Sequence, residues 1–425
     1  IILKLYFRKP GMIRTVTEIN EKIRRGQVVV VTAEEVIEIV GKKGVARAAR
    51  EIDVVTTGTF GPMCSSGVFL NLGHTEPRIK LGGGRTYLND VPAYTGIAAV
   101  DVFLGATALP DDDPRNKVHP GHFDYGGGHV IEDLVSGKEI ELRAESYGTD
   151  CYPRRHIETT ITIDDLNQAV LVNPRNCYQT YDAATNSTDK VLYTYMGTLL
   201  PRYGNVTFSG AGQLNPLCKD RNYVTIGIGT RIFLGGGVGY IIGEGTQHSP
   251  QSGFGTLMVR GDLKKMNSRY LRGASFYRYG TTLYVGVGIP VPIINMRVAA
   301  TAALRDEDIF VNIRDYGVPV RPDRRPVVRR VSYAELRSGK VAIGDRSIRS
   351  SSLSSYRMAR EIAEVLKKWI TEGIFFLTKP VEPLPRYREF KPLKLRKREL
   401  IVRDIMSREV ITASAADDVR EAARK

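Results

Sequence analysis

No apolar run in the 425-residue chain approaches the roughly 20 residues that cross a bilayer, so the sequence reads as a soluble protein with no membrane partner. It has no C-x-x-C pair either, and its four cysteines, Cys64, Cys151, Cys177 and Cys218, lie far apart. That spacing excludes a self-contained zinc ribbon or ferredoxin-type cluster. A chain this long needs no disulfide scaffold, so free thiols in a reducing cytoplasm are the simplest expectation. Histidine is scarce, six in all, and His119, His122 and His129 follow an H-x2-H-x6-H pattern that matches no standard metal site. No G-x-x-x-x-G-K-[ST] phosphate loop is present. Residues 1–11 precede the first methionine, Met12, and lack the apolar core and cleavage site of a signal peptide. They are expected to be an N-terminal extension.

The formal charge is +15. Between Arg321 and Leu400 there are 21 Lys and Arg against 9 Asp and Glu, a net of +12, so most of the excess sits in one stretch. Its densest run, Lys391 to Arg398, has no aromatics interleaved. Nucleic-acid recognition usually needs them, and a solvated linker or a contact for an acidic partner fits better.

The order of elements predicts an α/β fold. A helix over Thr17–Arg25 ends at Gly26, and Val28–Val31 is a short buried strand. Thr32-Ala-Glu-Glu35 reads as a capping box that opens a helix. A second basic helix near Val45–Glu51 leads into the strand Asp53–Thr57, and strand, helix, strand at this spacing implies a parallel sheet. Residues 81–130 are rich in turns, with no recognisable helix. Glu158–Ile163 alternates as a strand. The glycines of Thr225–His248 fall between β-branched residues, which suits close-packed strands better than a phosphate cradle. Ser354 or Ser355 caps an amphipathic helix carrying Met358, Ile362, Val365, Leu366, Trp369 and Ile370 on one face, ended by Gly373. The expected core is a mixed sheet with glycine-rich strands and flanking helices.

Two thiols stand out. Cys151 lies in Tyr147-Gly-Thr-Asp-Cys-Tyr-Pro-Arg-Arg-His156, where Gly148 and Pro153 bracket a turn and two arginines and a histidine follow within five residues. A cysteine is a nucleophile or sulfur carrier only as its thiolate, which nearby positive charge favours. The ordinary alternative is a buried structural cysteine beside a surface basic pair. Cys64 lies in the loop Gly58–Gly67, directly after a strand, where open α/β sheets bind ligands. Cys177, preceded by Arg175, ranks third and Cys218 last. Arg231, inside the glycine-rich stretch, is the guanidinium suited to a carboxylate.

Lys379-Pro-Val-Glu-Pro-Leu-Pro385 opens a Pro-rich, basic linker over 379–400. Residues 401–425, with Val402-Arg-Asp-Ile-Met406 and Val410-Ile-Thr412, resemble the start of a CBS domain, a module that often binds adenosyl ligands. With only its first two dozen residues present, no ligand residues are assigned there, and an adenosyl ligand is expected only with complete CBS domains.

Residues 12–378 resemble the homocysteine-biosynthesis family, the L-aspartate semialdehyde sulfurtransferases. The stretches that carry the resemblance are Thr57–Gly67, Gly148–Pro153, Asn173–Asn176, Gly229–Gly237 and Gly245–His248. The resemblance implies aspartate semialdehyde and a sulfur donor as reactants, and two cysteines in the sulfur chemistry, matching Cys151 as persulfide carrier and Cys64 as auxiliary or resolving thiol. It also implies a ferredoxin-like partner protein carrying an iron–sulfur cluster, with no cofactor in this chain. For that reaction His156 is a candidate proton donor, and Arg154, Arg155 and Arg231 are candidate carboxylate contacts. Two other readings compete. An acyl- or CoA-handling transferase would depend on Glu145 or Glu158, and a regulatory protein would sense an adenosyl ligand through its CBS segment.

Overall fold

The computed structural model describes residues 13–387, 389 and 391–393. The N-terminal extension, residues 394–398 of the densest basic run and the CBS-like segment lie outside these described residues. Among them, no helix is long and apolar enough to cross a membrane.

The chain begins as its local signals dictate. Thr15 and Glu18 form a capping box at the start of the helix Val16–Arg24, and Gly26 follows it with φ +67°. Thr32 and Glu35 exchange reciprocal bonds, Thr32 N–H to Glu35 Oε2 at 2.7 Å and Glu35 N–H to Thr32 Oγ1 at 3.3 Å, and the helix Glu35–Lys43 starts there. The strands Val30–Thr32 and Val54–Thr56 pair in parallel, as the spacing predicts. That parallel pair does not extend into a large sheet. It stops at three strands, closed by the antiparallel strand Pro290–Pro292.

The bulk of the molecule is antiparallel. A nine-stranded sheet is built from segments as distant as Thr59–Pro62 and Gly280–Gly288, which pair directly. The glycine-rich stretch supplies its central hairpin, Arg231–Leu234 against Gly237–Glu244. Gly235 and Gly236 form the turn with φ +59° and +94°, values that an L side chain resists. These glycines serve strands, not a phosphate loop. A six-stranded mixed sheet over residues 183–352 and a four-stranded antiparallel sheet over residues 85–161 complete the body.

The helix Tyr356–Thr371 lies across the nine-stranded sheet, with Ser355 Oγ accepting from Met358 N–H. It buries Met358, Ile362, Leu366 and Ile370, each worth about 2 kcal/mol in apolar burial. Glycine makes the approach possible. A Cβ at Gly58 would collide with the Ala359 carbonyl oxygen, and one at Gly288 would stand 2.9 Å from Ile362 Cγ2.

One helix contradicts the sequence reading. Gly127–Val135 is helical, although the region reads as turns. Gly127 and Gly128 press against the carbonyls of Gly105 and Thr282, closer than any Cβ allows. Glycine lowers helix propensity, but here contact with the sheet decides the conformation.

The Pro-rich stretch that follows is fastened to the body over its first residues. Glu382–Pro383 pairs with Gly227–Ile228, and the Pro385 carbonyl lies 2.9 Å from His248 Nε2.

Candidate active site

The strand Thr59–Pro62 runs along Gly280–Gly288 and ends in a tight turn, where Met63 N–H bonds to the Leu283 carbonyl and Ser66 N–H to the Met63 carbonyl at 3.0 Å. Cys64 sits in that turn. The strand Gly67–Asn71 then departs along a different part of the sheet, pairing with residues 168–172 and 101–105. Asn173, at the bend of the strand Gln168–Asn176, clamps the turn. Its Nδ2 donates to Ser66 Oγ at 2.7 Å, and its Oδ1 accepts from the Arg175 amide at 2.9 Å and from Ser65 Oγ at 3.4 Å. One step further, Thr246 N–H bonds to the Pro174 carbonyl at 2.8 Å, and Arg175 Nη1 donates to Gln247 Oε1 at 2.6 Å.

Three stretches far apart in sequence thereby line one cleft of about 580 Å³, with Cys64, Arg175 and Gln247 in its wall. The volume suits a small metabolite. Arg175 Nε is buried without a protein hydrogen-bond partner, and Arg175 itself lines the cleft. Tyr178, Tyr181, Tyr195 and Tyr279 also line it. Burial pushes the Cys64 thiol above its ordinary pKa, while the Thr282 hydroxyl and the Arg175 charge pull it back in part. At rest Cys64 is a neutral thiol in a cationic, tyrosine-lined pocket.

Cys151 is elsewhere. It stands exposed at the tip of a hairpin between the strands Ile140–Glu145 and His156–Ile161, in a turn closed by mutual Thr149 and Tyr152 backbone bonds at 2.9 and 3.1 Å. The Tyr152 ring stacks on His74, with centroids 5.9 Å apart. His74 follows the far end of Gly67–Asn71, whereas Cys64 precedes its near end. That strand is about 13 Å long at 3.3 Å per residue. The two thiols therefore sit at opposite ends of one strand, too far apart for a direct disulfide within this conformation.

The expected arginines separate as well. Arg154 is committed to structure, donating Nε to the Pro77 carbonyl at 3.1 Å and Nη2 to the Glu76 carbonyl at 2.6 Å. Arg155 folds against Gly148, and His156 opens its strand exposed, opposite Glu145. Both share the Cys151 hairpin and neither lines the Cys64 cleft. Arg231 does not join either thiol. Its guanidinium lies 4.6 Å over the Phe375 ring in a separate pocket with Trp369 and Arg260. Its strand neighbour Phe233 pairs with Gly288, six residues along from Thr282 beside Cys64, or about 20 Å. The arginine that lines the Cys64 cleft is instead Arg175, in the Asn-Pro-Arg-Asn stretch that precedes Cys177.

The remaining thiols are inert. Burial pushes both Cys177 and Cys218 up to about 12. Cys177 contacts Thr59 Oγ1 at 3.9 Å, and Cys218 Sγ donates to the Gln179 carbonyl at 2.9 Å. His248 is buried with its ring between the Thr256 backbone and the Pro385 carbonyl, a structural post for the Gly-Thr-Gln-His turn. Among the described residues no three His, Cys, Asp or Glu side chains gather as metal ligands. His129 stacks on Tyr125 at 5.3 Å, and burial lowers its pKa.

Residues 28–377 match the family model described as homocysteine biosynthesis enzyme, sulfur-incorporation. The L-aspartate semialdehyde sulfurtransferase of Methanocaldococcus jannaschii is 56% identical over 426 residues, covering 97% of this chain and 81% of the relative. The protein of the same name from Methanosarcina acetivorans is 56% identical over 412 residues, covering 97% and 80%. No solved structure matches the chain.

Proposed function

The chain belongs to the family of sulfur-incorporating homocysteine biosynthesis enzymes, and from that membership we propose that it transfers sulfur to L-aspartate semialdehyde to form L-homocysteine. The reaction joins an aldehyde, hydrogen sulfide, two electrons and two protons to give a thiol and water. Sulfur that arrives as a persulfide takes two electrons more.

The observation that carries this reading is that Cys64 and Arg175 share one cleft. The semialdehyde is short, with a carboxylate at one end and an aldehyde at the other. Arg175, in the wall of the cleft with its Nη1 held by Gln247, offers its guanidinium charge to the carboxylate. The aldehyde end then faces Cys64.

Cys151 has the complementary position. Exposed at a hairpin tip, it is the thiol that a sulfur donor reaches first, and it takes the sulfur as a persulfide. Arg155 and His156 beside it serve that loading step, the first as a cation and the second as a proton carrier. Two-electron reduction of the Cys151 persulfide releases its outer sulfur as hydrogen sulfide and restores the thiol, and that sulfide meets the aldehyde in the Cys64 cleft. The electrons come from a ferredoxin-like iron–sulfur partner.

The test is homocysteine formation from aspartate semialdehyde, with free sulfide or with a protein sulfur donor, in the presence of a reductant. Cys64→Ser loses activity with both sulfur sources. Cys151→Ser loses activity with the protein donor and keeps it with sulfide. Full activity of both variants under both conditions overturns the assignment.

A further inference from the structure

The Cys64 cleft is closed by a side chain from a different sheet. Tyr195 sits at the turn of a short hairpin, Leu192–Thr194 against Gly197–Leu199, where Thr194 Oγ1 accepts from Met196 N–H at 3.0 Å and Gly197 takes φ +83°. The turn points the Tyr195 phenol into the cleft wall beside Met196 and Tyr279. Its ring meets Tyr279 edge-on with centroids 6.1 Å apart, and Tyr316 at 5.8 Å.

The hydroxyl is gripped from two further segments. Tyr316 OH lies 3.2 Å from Tyr195 OH, and Arg325 Nη1 donates to it at 3.1 Å. The Arg325 guanidinium lies 3.7 Å over the Tyr316 ring. Its backbone carbonyl is held in turn by Arg314 Nη1 at 2.7 Å. A cation locked at a phenol oxygen, beside a cleft that also holds a thiol and an arginine, is more than packing needs.

We propose that Tyr195 is the proton donor of this site, delivering its hydroxyl proton to the aldehyde oxygen of the substrate as a sulfur nucleophile adds to the carbonyl carbon. The inference rests on reading the cleft as the sulfurtransferase site. In the step, the carbon–sulfur bond forms from the sulfur lone pair, and the carbonyl π pair moves to oxygen. The nucleophile adds as its anion, hydrosulfide or thiolate, so oxygen takes the Tyr195 proton to give a neutral hydroxy-sulfur adduct, and the phenolate left behind faces Arg325 until solvent reprotonates it. No electrons enter or leave.

The electrostatics suit the role. Burial alone would raise the Tyr195 pKa, but hydrogen bonds from Tyr181, Tyr316 and Arg325, with the Arg325 charge, bring it below the usual phenol value. Burial and mutual repulsion push Tyr181 and Tyr316 well up, so these two stay protonated and donate. In ring contact with Tyr195, Tyr279 is raised first by burial and then by the nearby Cys64 and Tyr195 charges. Tyr279 therefore lies within electrostatic reach of both. A phenol held this way donates near neutral pH more readily than a free one.

Three proteins decide the matter, the wild type, Tyr195→Phe and Arg325→Met, each checked for native circular dichroism. Tyr195→Phe is expected to lower kcat by about 10²- to 10⁴-fold, leaving KM within a few-fold and removing the alkaline fall of kcat. Arg325→Met is expected to move that fall to higher pH, because the phenol loses its cation. A folded Tyr195→Phe enzyme with wild-type kcat and an unchanged alkaline fall overturns the proposal. If the wild type forms no homocysteine, the sulfurtransferase reading fails, and tyrosinate absorbance during alkaline titration still decides. The tyrosine that titrates first must be missing from Tyr195→Phe, and its persistence there overturns the proposal.

Discussion

Asn173 donates its Nδ2 hydrogen to the hydroxyl of Ser66 at 2.7 Å, across 107 positions of sequence, with both residues buried. That bond ties the Asn-Pro-Arg-Asn bend to the Cys-Ser-Ser turn and fixes the thiol relative to Arg175. Asn173→Ala leaves the Ser66 hydroxyl and the Arg175 amide short of partners, at a cost of about 2 kcal/mol. The expected results are a lower denaturant midpoint and a loss of homocysteine formation larger than the unfolded fraction explains. An unchanged midpoint would show the clamp to be dispensable.

Arg175→Lys keeps the charge and removes the planar fork. A lysine is a point charge and does not reproduce bidentate carboxylate binding. KM for aspartate semialdehyde is expected to rise by about 10- to 100-fold, matching the roughly 1.5–3 kcal/mol of a charged hydrogen bond, with a smaller change in kcat. Steady-state kinetics over substrate concentration check it, and an unaltered KM removes Arg175 from substrate binding.

Thiol reactivity should follow exposure. In the folded protein a maleimide is expected to label Cys151 first and Cys64 slowly, with Cys64 labelling climbing only at alkaline pH because burial raises its pKa. Cys177 and Cys218, both pushed up to about 12, stay unlabelled until denaturant is added. Peptide mass spectrometry over a time course reads the order, and rapid labelling of Cys177 would contradict the burial described.

Lys219 should leave a mark on stability against pH. It is fully buried, its Nζ donates to the Leu304 carbonyl at 2.8 Å, and burial lowers its pKa to about 7. Between that value and the unfolded value near 10.4, the unfolded chain binds more protons than the folded one. This lysine therefore makes stability rise with pH above 7. Lys219→Met is expected to flatten that rise, by an amount on the order of a few kcal/mol between pH 7 and 9. Denaturant midpoints of both proteins across that range measure it, and parallel curves would place the ammonium in contact with water.

Local chemistry made several elements readable in advance. Capping residues set the starts of the helices Val16–Arg24 and Tyr356–Thr371, and the alternation over Glu158–Ile163 found a strand that runs His156–Ile161. The helix Gly127–Val135 was hidden because its glycines answer to a neighbouring sheet and not to their own propensity. The site divided the same way. Cys64, Cys151 and the Asn-Pro-Arg-Asn stretch stand out as motifs, but no spacing says which of them meet.

By itself the sequence determined the α/β class, the use of its glycines in close-packed strands, two candidate thiols and the family. These follow from short-range patterns and from motifs legible as written. The tertiary structure alone decided that Arg175 and not Arg231 shares the cleft with Cys64, that Cys151 stands apart at the other end of a strand, and that Tyr195, held by Arg325, reaches the cleft from another sheet. Those contacts join residues separated by a hundred positions or more, and only chain topology sets which side chains share a pocket.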